Sequence, residues 1–388
     1  MMTRSSLFGR RIHIAGSVSS DPTEAPAVEV ARAREFVTAL VPKLVKRGAT
    51  FVVPVDAEKQ RPADQMPICF DWLVWEQLAK SIPLRPAGAP DPLAVAVQHH
   101  KTEAQVPAEY VTLWDGLRGT DLVQIENVSH WNMASRRLEA QARWGDLLLA
   151  LGGSEGTLFL ANLYHDVGKP VVPLDNAICA AGTGARRIFA LGLSSTDSSR
   201  LFRPSTLNAH AWMNRVNFAE RIDIDQRVET VVDLLEALEP RQAFVVRLLK
   251  AEHLSYGRVE AFFANVVQPI VEDTLGYKMA VVDGRQPLEY PRMDQEIFAK
   301  LHRSSVVLCD LTGQRPNCFL ELGYALGRGL PTMVMAMEGE QLPFDLGTFA
   351  GFFWNPDDPV EAQRRKFMDH WNAIQSRPPL VPSAPLIP

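Results

Sequence analysis

The chain has 388 residues, 46% of them hydrophobic and 22% charged, ordinary proportions for a globular protein but a length beyond one growing core, so two domains are expected. With 45 acidic against 40 basic residues the formal net charge is -5, which offers no long-range attraction to nucleic-acid phosphates or an acidic membrane surface. No run of about 18 apolar residues occurs, and the start MMTRSSLFGRRIHIAGS has no apolar stretch before its first strand. The expectation is a cytoplasmic protein with neither a nucleic-acid polymer nor a membrane as partner.

Taken in chain order, Arg11 to Ala15 is an apolar run ending in Gly16-Ser17 and followed by the helical stretch Ala27 to Arg47. Strand, glycine turn and helix open a nucleotide-binding α/β unit. Thr50 to Val55 reads as the next buried parallel strand. Residues 56 to 110 are rich in proline, with one helical piece at Trp72 to Lys80, and read as a variable excursion. Leu122 to Ile125 (strand), Met133 to Trp144 (helix), Leu147 to Leu151 (strand), Leu158 to Val167 (helix) and Pro170 to Pro173 (strand) restore the alternation. Residues 175 to 240 have helical periodicity. A second series follows: strand Phe244 to Leu248, helix Val259 to Thr274, strand Met279 to Val282, helix Asp294 to His302, strand Val306 to Cys309, helix Cys318 to Arg328 and strand Thr332 to Ala336.

The fold class is therefore α/β, with two Rossmann-like domains, each a mostly parallel sheet flanked by helices. The expected division is a first domain over 1–190, a helical connector over 191–240, a second domain over 241–375 and a Pro-rich tail over 376–388. Cys69, Cys179, Cys309 and Cys318 lack the spacing of a zinc site or a disulfide framework and read as free thiols. No metal motif, serine-hydrolase elbow or resident cofactor is expected. His99-His100 reads as a solvated loop pair, and Trp72, Trp75, Trp131 and Trp144 as core or interface.

Gly152-Gly153-Ser154-Glu155-Gly156-Thr157 joins a buried strand to a helix, so backbone amides and the helix N-terminus meet where an anion can sit. Alone, this pattern also fits a structural glycine turn. Arg136 and Arg137 on the preceding helix are candidate phosphate partners or a solvated face. In the second half, Val306 to Arg328 (VVLCDLTGQRPNCFLELGYALGR) ends a strand on Asp310, passes Asn317 and sets Glu321 in an apolar helix. Carboxylates at that strand edge lie where open α/β sheets bind ligands. Arg247 and Lys250 end the first strand of this half, and Tyr256 follows as a candidate pocket wall.

The segment SRRLEAQARWGDLLLALGGSEGT, with the opening IHIAGSVS, resembles the SLOG superfamily, which holds the Lonely Guy phosphoribohydrolases, DNA-processing proteins and nucleotide sensors. The resemblance covers about 10 to 175. It implies a nucleotide-signal site at Gly16, Ser17, Arg136, Gly152, Gly153, Gly156 and Thr157. Leu160 stands where the hydrolases carry their glutamate, and Glu155 is inserted between the glycines, so sensing without cleavage is implied. The second half, from FVVRLL at 244 to LPFDL at 342, resembles nucleoside 2-deoxyribosyltransferase-like and TIR-like proteins, with FVVRLL departing from the usual methionine-proline-phenylalanine. That resemblance implies Glu321 as the catalytic carboxylate, with Asp310 and Asn317 beside it and Arg247, Lys250 and Tyr256 toward the substrate. The joint implication is a nucleotide-gated, homo-oligomeric antiviral effector that cleaves NAD(+) as substrate. A deoxyribosyltransferase or other N-glycosidase, and a non-catalytic nucleotide-binding protein, are the alternatives.

Overall fold

A computed structural model describes residues 4–99, 105–128, 133–217, 222–284, 289–343 and 351–375. His100, Trp131, the tail 376–388 and the end of the LPFDL segment lie outside the described residues. The chain divides into two compact units, Met1–Glu239 and Pro240–Pro388.

In the first unit the strands are β1 (Arg11–Ala15), β2 (Thr50–Pro54), β3 (Ala94–His99), β4 (Val123–Val128), β5 (Leu147–Leu151) and β6 (Val171–Leu174). They form one parallel sheet in the order β4-β3-β2-β1-β5-β6. Its helices are α1 (Ala27–Lys46), α2 (Asp71–Ser81), α3 (Val111–Arg118), α4 (Met133–Trp144), α5 (Glu155–Asp166), α6 (Gly184–Ser194), α7 (Ala209–Arg215) and α8 (Ile224–Ala237).

The alternation of β1 explains the layering. Ile12 and Ile14 face a core built with apolar residues of α1, α2 and α8. On the other face Leu148 and Ala150 of β5 pack with residues of α4, α5 and α6. All five residues of β5 are buried, the near-continuous apolar run that a strand covered on both faces requires. Each such leucine contributes roughly 1.5–3 kcal/mol by leaving water. The 56–110 stretch is an excursion only in part, because it contains β3, which is flanked by β2 and β4. The helices of 191–239 belong to the first unit, and α8 closes its core.

The second unit contains β7 (Gln242–Val246), β8 (Lys278–Ala280), β9 (Val306–Asp310), β10 (Thr332–Met337) and β11 (Phe352–Trp354). They are again parallel, in the order β11-β10-β9-β7-β8. Helix α9 (Tyr256–Phe262) runs on into wider π-helical turns at Phe263–Val267 and Pro269–Thr274. Helices α10 (Met293–Arg303), α11 (Pro316–Gly327) and α12 (Val360–Gln375) complete the unit. One face of the sheet packs on α9 and α12, the other on α10 and α11. Among the described residues no helix is long and apolar enough to cross a membrane.

Candidate active site and nucleotide crevice

In each sheet the chain reverses its direction of growth at its first strand, so crevices open beyond the carboxyl ends of β1/β5 and of β7/β9. These are the switch points where open α/β sheets take ligands.

In the first unit, Gly16, Gly152, Gly153 and Gly184 all have positive φ, and each is pressed against other backbone or side-chain atoms. A Cβ on Gly16 would lie 1.8 Å from the Leu151 carbonyl oxygen, and one on Gly184 would lie 2.2 Å from that of Gly153. The Gly153 N–H donates to Ser17 O at 2.6 Å, and the Ala185 N–H to Gly152 O at 2.8 Å. Close packing of these loops is therefore enough to require the glycines. Gly156 differs, since nothing lies within 4 Å of an added Cβ. It sits exposed in the first turn of α5, between exposed Glu155 and buried Thr157. The open N-terminus of α5 is where an anion would approach.

Arg136 pairs with Glu139 of its own helix at 2.7 Å. Its neighbour Arg137 instead pairs with Asp56, just past β2. Adjacent helical positions point about 100° apart, so of the two candidate arginines it is Arg137 that meets the carboxylate following β2, while Arg136 lies along its own helix. Asp56 also lies 3.8 Å from His99 Nε2 at the end of β3, and the Asp56 carbonyl accepts from Trp72 Nε1 at 2.9 Å. Burial opposes ionisation of Asp56, but the hydrogen bond and charge of Arg137 hold its pKa below the usual value. His99 is buried, not a solvated loop residue.

Two more carboxyls share this edge. Burial pushes Glu58 up to about 7, and Asp71 to about 7 with repulsion from Glu58 added. Sequence reasoning missed this grouping because Asp56 and Glu58 follow β2, Asp71 opens α2 and His99 ends β3, and the proline-rich stretch gave no sign that these ends lie together. Among the described residues no group of three or more His, Cys, Asp or Glu could hold a metal ion, and all four cysteines are free thiols.

In the second unit a cavity of about 410 Å³ opens at the ends of β7 and β8 against α10 and α11. Its lining includes Arg247, Lys250, Asp283, Arg315, Asn317 and Glu321. Four of the predicted residues, Glu321, Asn317, Arg247 and Lys250, thus meet in one cavity. Glu321 is half-buried, and burial pushes its carboxyl up to about 7 against the pull of the Arg315 charge. Arg247 is held in the wall, 2.6 Å from Glu260 and with its guanidinium 5.0 Å from the Phe263 ring centroid.

Two predicted residues are not in the lining. Asp310 is fully buried: its carboxylate accepts from Trp354 Nε1 at 2.7 Å and from the Thr312 N–H at 2.9 Å. Burial raises it to about 6, against those hydrogen bonds. It holds the loop before α11 and does not face the cavity. Trp354 in turn stacks on Phe262 at 4.3 Å. Tyr256 opens α9 and packs against the core on the opposite face of the sheet from α11.

The two parallel sheets, each flanked by helices and each with a switch-point crevice, define a Rossmann-like α/β protein. The sequence pattern described as ATP nucleosidase Cap17-like, N-terminal, matches residues 7–235, and the chain belongs to that family. No curated protein matches it.

Proposed function

We propose that this protein cleaves the N-glycosidic bond of a nucleotide in the cavity of its second unit, with Glu321 as the catalytic carboxylate. The observation that carries the reading is Glu321 itself: a half-buried carboxyl in a cavity of about 410 Å³, held near 7 and surrounded by Lys250, Arg315 and Asn317. Its ionised form would stabilise the positive charge that develops on the sugar as the C1'–N bond breaks and the electron pair leaves with the base. A water molecule then adds to C1', and the carboxylate accepts its proton.

The name of the family, whose pattern lies in the first unit at 7–235, favours ATP as the substrate of the protein, with adenine and ribose triphosphate as products. The resemblance of the Val306 to Arg328 segment to TIR-like proteins favours NAD(+) as a second reading, with nicotinamide released. The first unit, in this reading, binds a small nucleotide signal at Gly156 and Thr157 and raises the activity of the second, as in an antiviral effector. Such gating requires that the signal favour one of two states of the protein.

The test is incubation of the purified protein with ATP or NAD(+), alone and with a panel of cyclic nucleotides, following free adenine and nicotinamide. Base release that disappears in Glu321→Gln is expected. Release unchanged in that variant would place the chemistry elsewhere in the chain.

A further inference from the structure

We propose that Arg315 and Lys250 are the specificity-determining residues of the second unit's cavity, holding the phosphate groups of its nucleotide substrate in a subsite. This rests on the Glu321 reading of the same cavity.

Three basic side chains line the cavity, and they are not equivalent. Arg247 is committed to Glu260 and lies over Phe263. The side chains of Arg315 and Lys250 make no ion pair or hydrogen bond among the described residues. The carboxyls in the lining are Asp283 and Glu321, and burial disfavours the charged form of Glu321. The cavity therefore presents cationic groups that a bound anion would satisfy, and charge-assisted hydrogen bonds to phosphate are the strong kind.

The placement of Arg315 is built. The loop before it turns through Gly313 and Gln314, both at positive φ. Gly313 N–H donates to Glu340, and the Gln314 amide donates to the Gln341 carbonyl at 2.8 Å. A non-glycine residue at positive φ is held there only by its surroundings. The result is that Arg315 stands as the N-cap of α11, six positions before Glu321. That is roughly 9 Å along the helix axis, suited to the span between a reacting sugar carbon and the outer phosphates of a nucleotide. Val282, Met293 and Ile297 supply an apolar part of the lining, suited to a base.

The experiment compares release of adenine from ATP, AMP and adenosine, and of nicotinamide from NAD(+) and nicotinamide riboside, by the full-length wild type, Arg315→Gln, Arg315→Lys and Lys250→Met. Either charge-removing substitution is expected to lower kcat/KM for the phosphorylated substrate about ten- to a hundredfold while changing the nucleoside by no more than about threefold. Arg315→Lys should retain part of the preference. An unchanged preference for phosphorylated over unphosphorylated substrate in folded Arg315→Gln and Lys250→Met would overturn the subsite.

Binding separates this proposal from the catalytic one. Calorimetric titration of ATP and of NAD(+) into Glu321→Gln and into Glu321→Gln/Arg315→Gln is expected to show a component weakened about tenfold or more by the second change. Identical titrations overturn the subsite. Full base release by Glu321→Gln overturns only the role of Glu321.

Discussion

Glu321 and Asp310 are carboxyls of the same unit in opposite surroundings, one lining a cavity and one sealed in the core, and substitution should separate them. Replacing Glu321 with Gln keeps the shape and removes the charge, so base release is expected to fall by about 10²–10⁴. Because burial raises this group to about 7 and the proposed role needs its ionised form, kcat/KM should rise with pH through about 7 and level off roughly one unit above it. A rate that falls through the same range would make Glu321 a proton donor instead. Asp310 is different: Trp354→Phe would take away the indole N–H and leave a buried carboxylate under-satisfied, costing about 1–3 kcal/mol, measurable by denaturant melts. Glu321 was legible because its helix segment carries a specific pattern. The inward turn of Asp310 was not, because its partner Trp354 lies 44 positions away on a strand of three residues that no local pattern announces. Arg136 and Arg137 were indistinguishable for a related reason: their sequence context is shared, and only the position of Asp56 after β2 tells which of them pairs with it.

The loops at the β1/β5 crevice separate the two roles that glycine plays there. Gly16→Ala forces a Cβ toward the Leu151 carbonyl at a positive φ, and a loss of about 2–4 kcal/mol is expected from strain and displaced backbone. Gly156→Ala meets no atom and lies in a helical turn, where alanine is favoured by up to about 1 kcal/mol. Its melting temperature should therefore hold or rise, while any nucleotide bound at the α5 N-terminus weakens. Equal damage to stability from both substitutions would contradict this division. Most elements of both sheets were readable from apolar runs and glycine stops. The exceptions were β3, whose alternating small residues sit among prolines, the short helix α3 after it, and β11 and α12, which are organised by aromatic contacts made across the unit rather than by periodicity.

At the scale of the molecule, the carboxyls of the first unit should make stability depend on pH. Glu58 and Asp71 are held near 7 when folded, above their values in an unfolded chain, so the folded state keeps protons that the unfolded state gives up. Stability should accordingly fall as pH rises from about 4 to about 7 and change little beyond. Asp71→Asn should reduce that slope; melting curves at pH 5 and pH 8 that keep the wild-type difference would contradict it. The α/β class was readable from two rounds of strand and helix; the place of 191–239 in the first unit was not, because α8 joins that core through contacts with α1 that helical periodicity alone does not announce.

The two strand orders bear on the ancestry of the chain. The first sheet lays down four strands to one side before returning to its first strand, whereas the second lays down only two. No relabelling brings the two orders into agreement, so a recent internal duplication does not account for the pair. Two modules joined near Pro240, each with its own strand plan, fit the topology better. Genealogies traced separately through 7–235 and through the second unit are then expected to branch differently wherever one module has been exchanged for another.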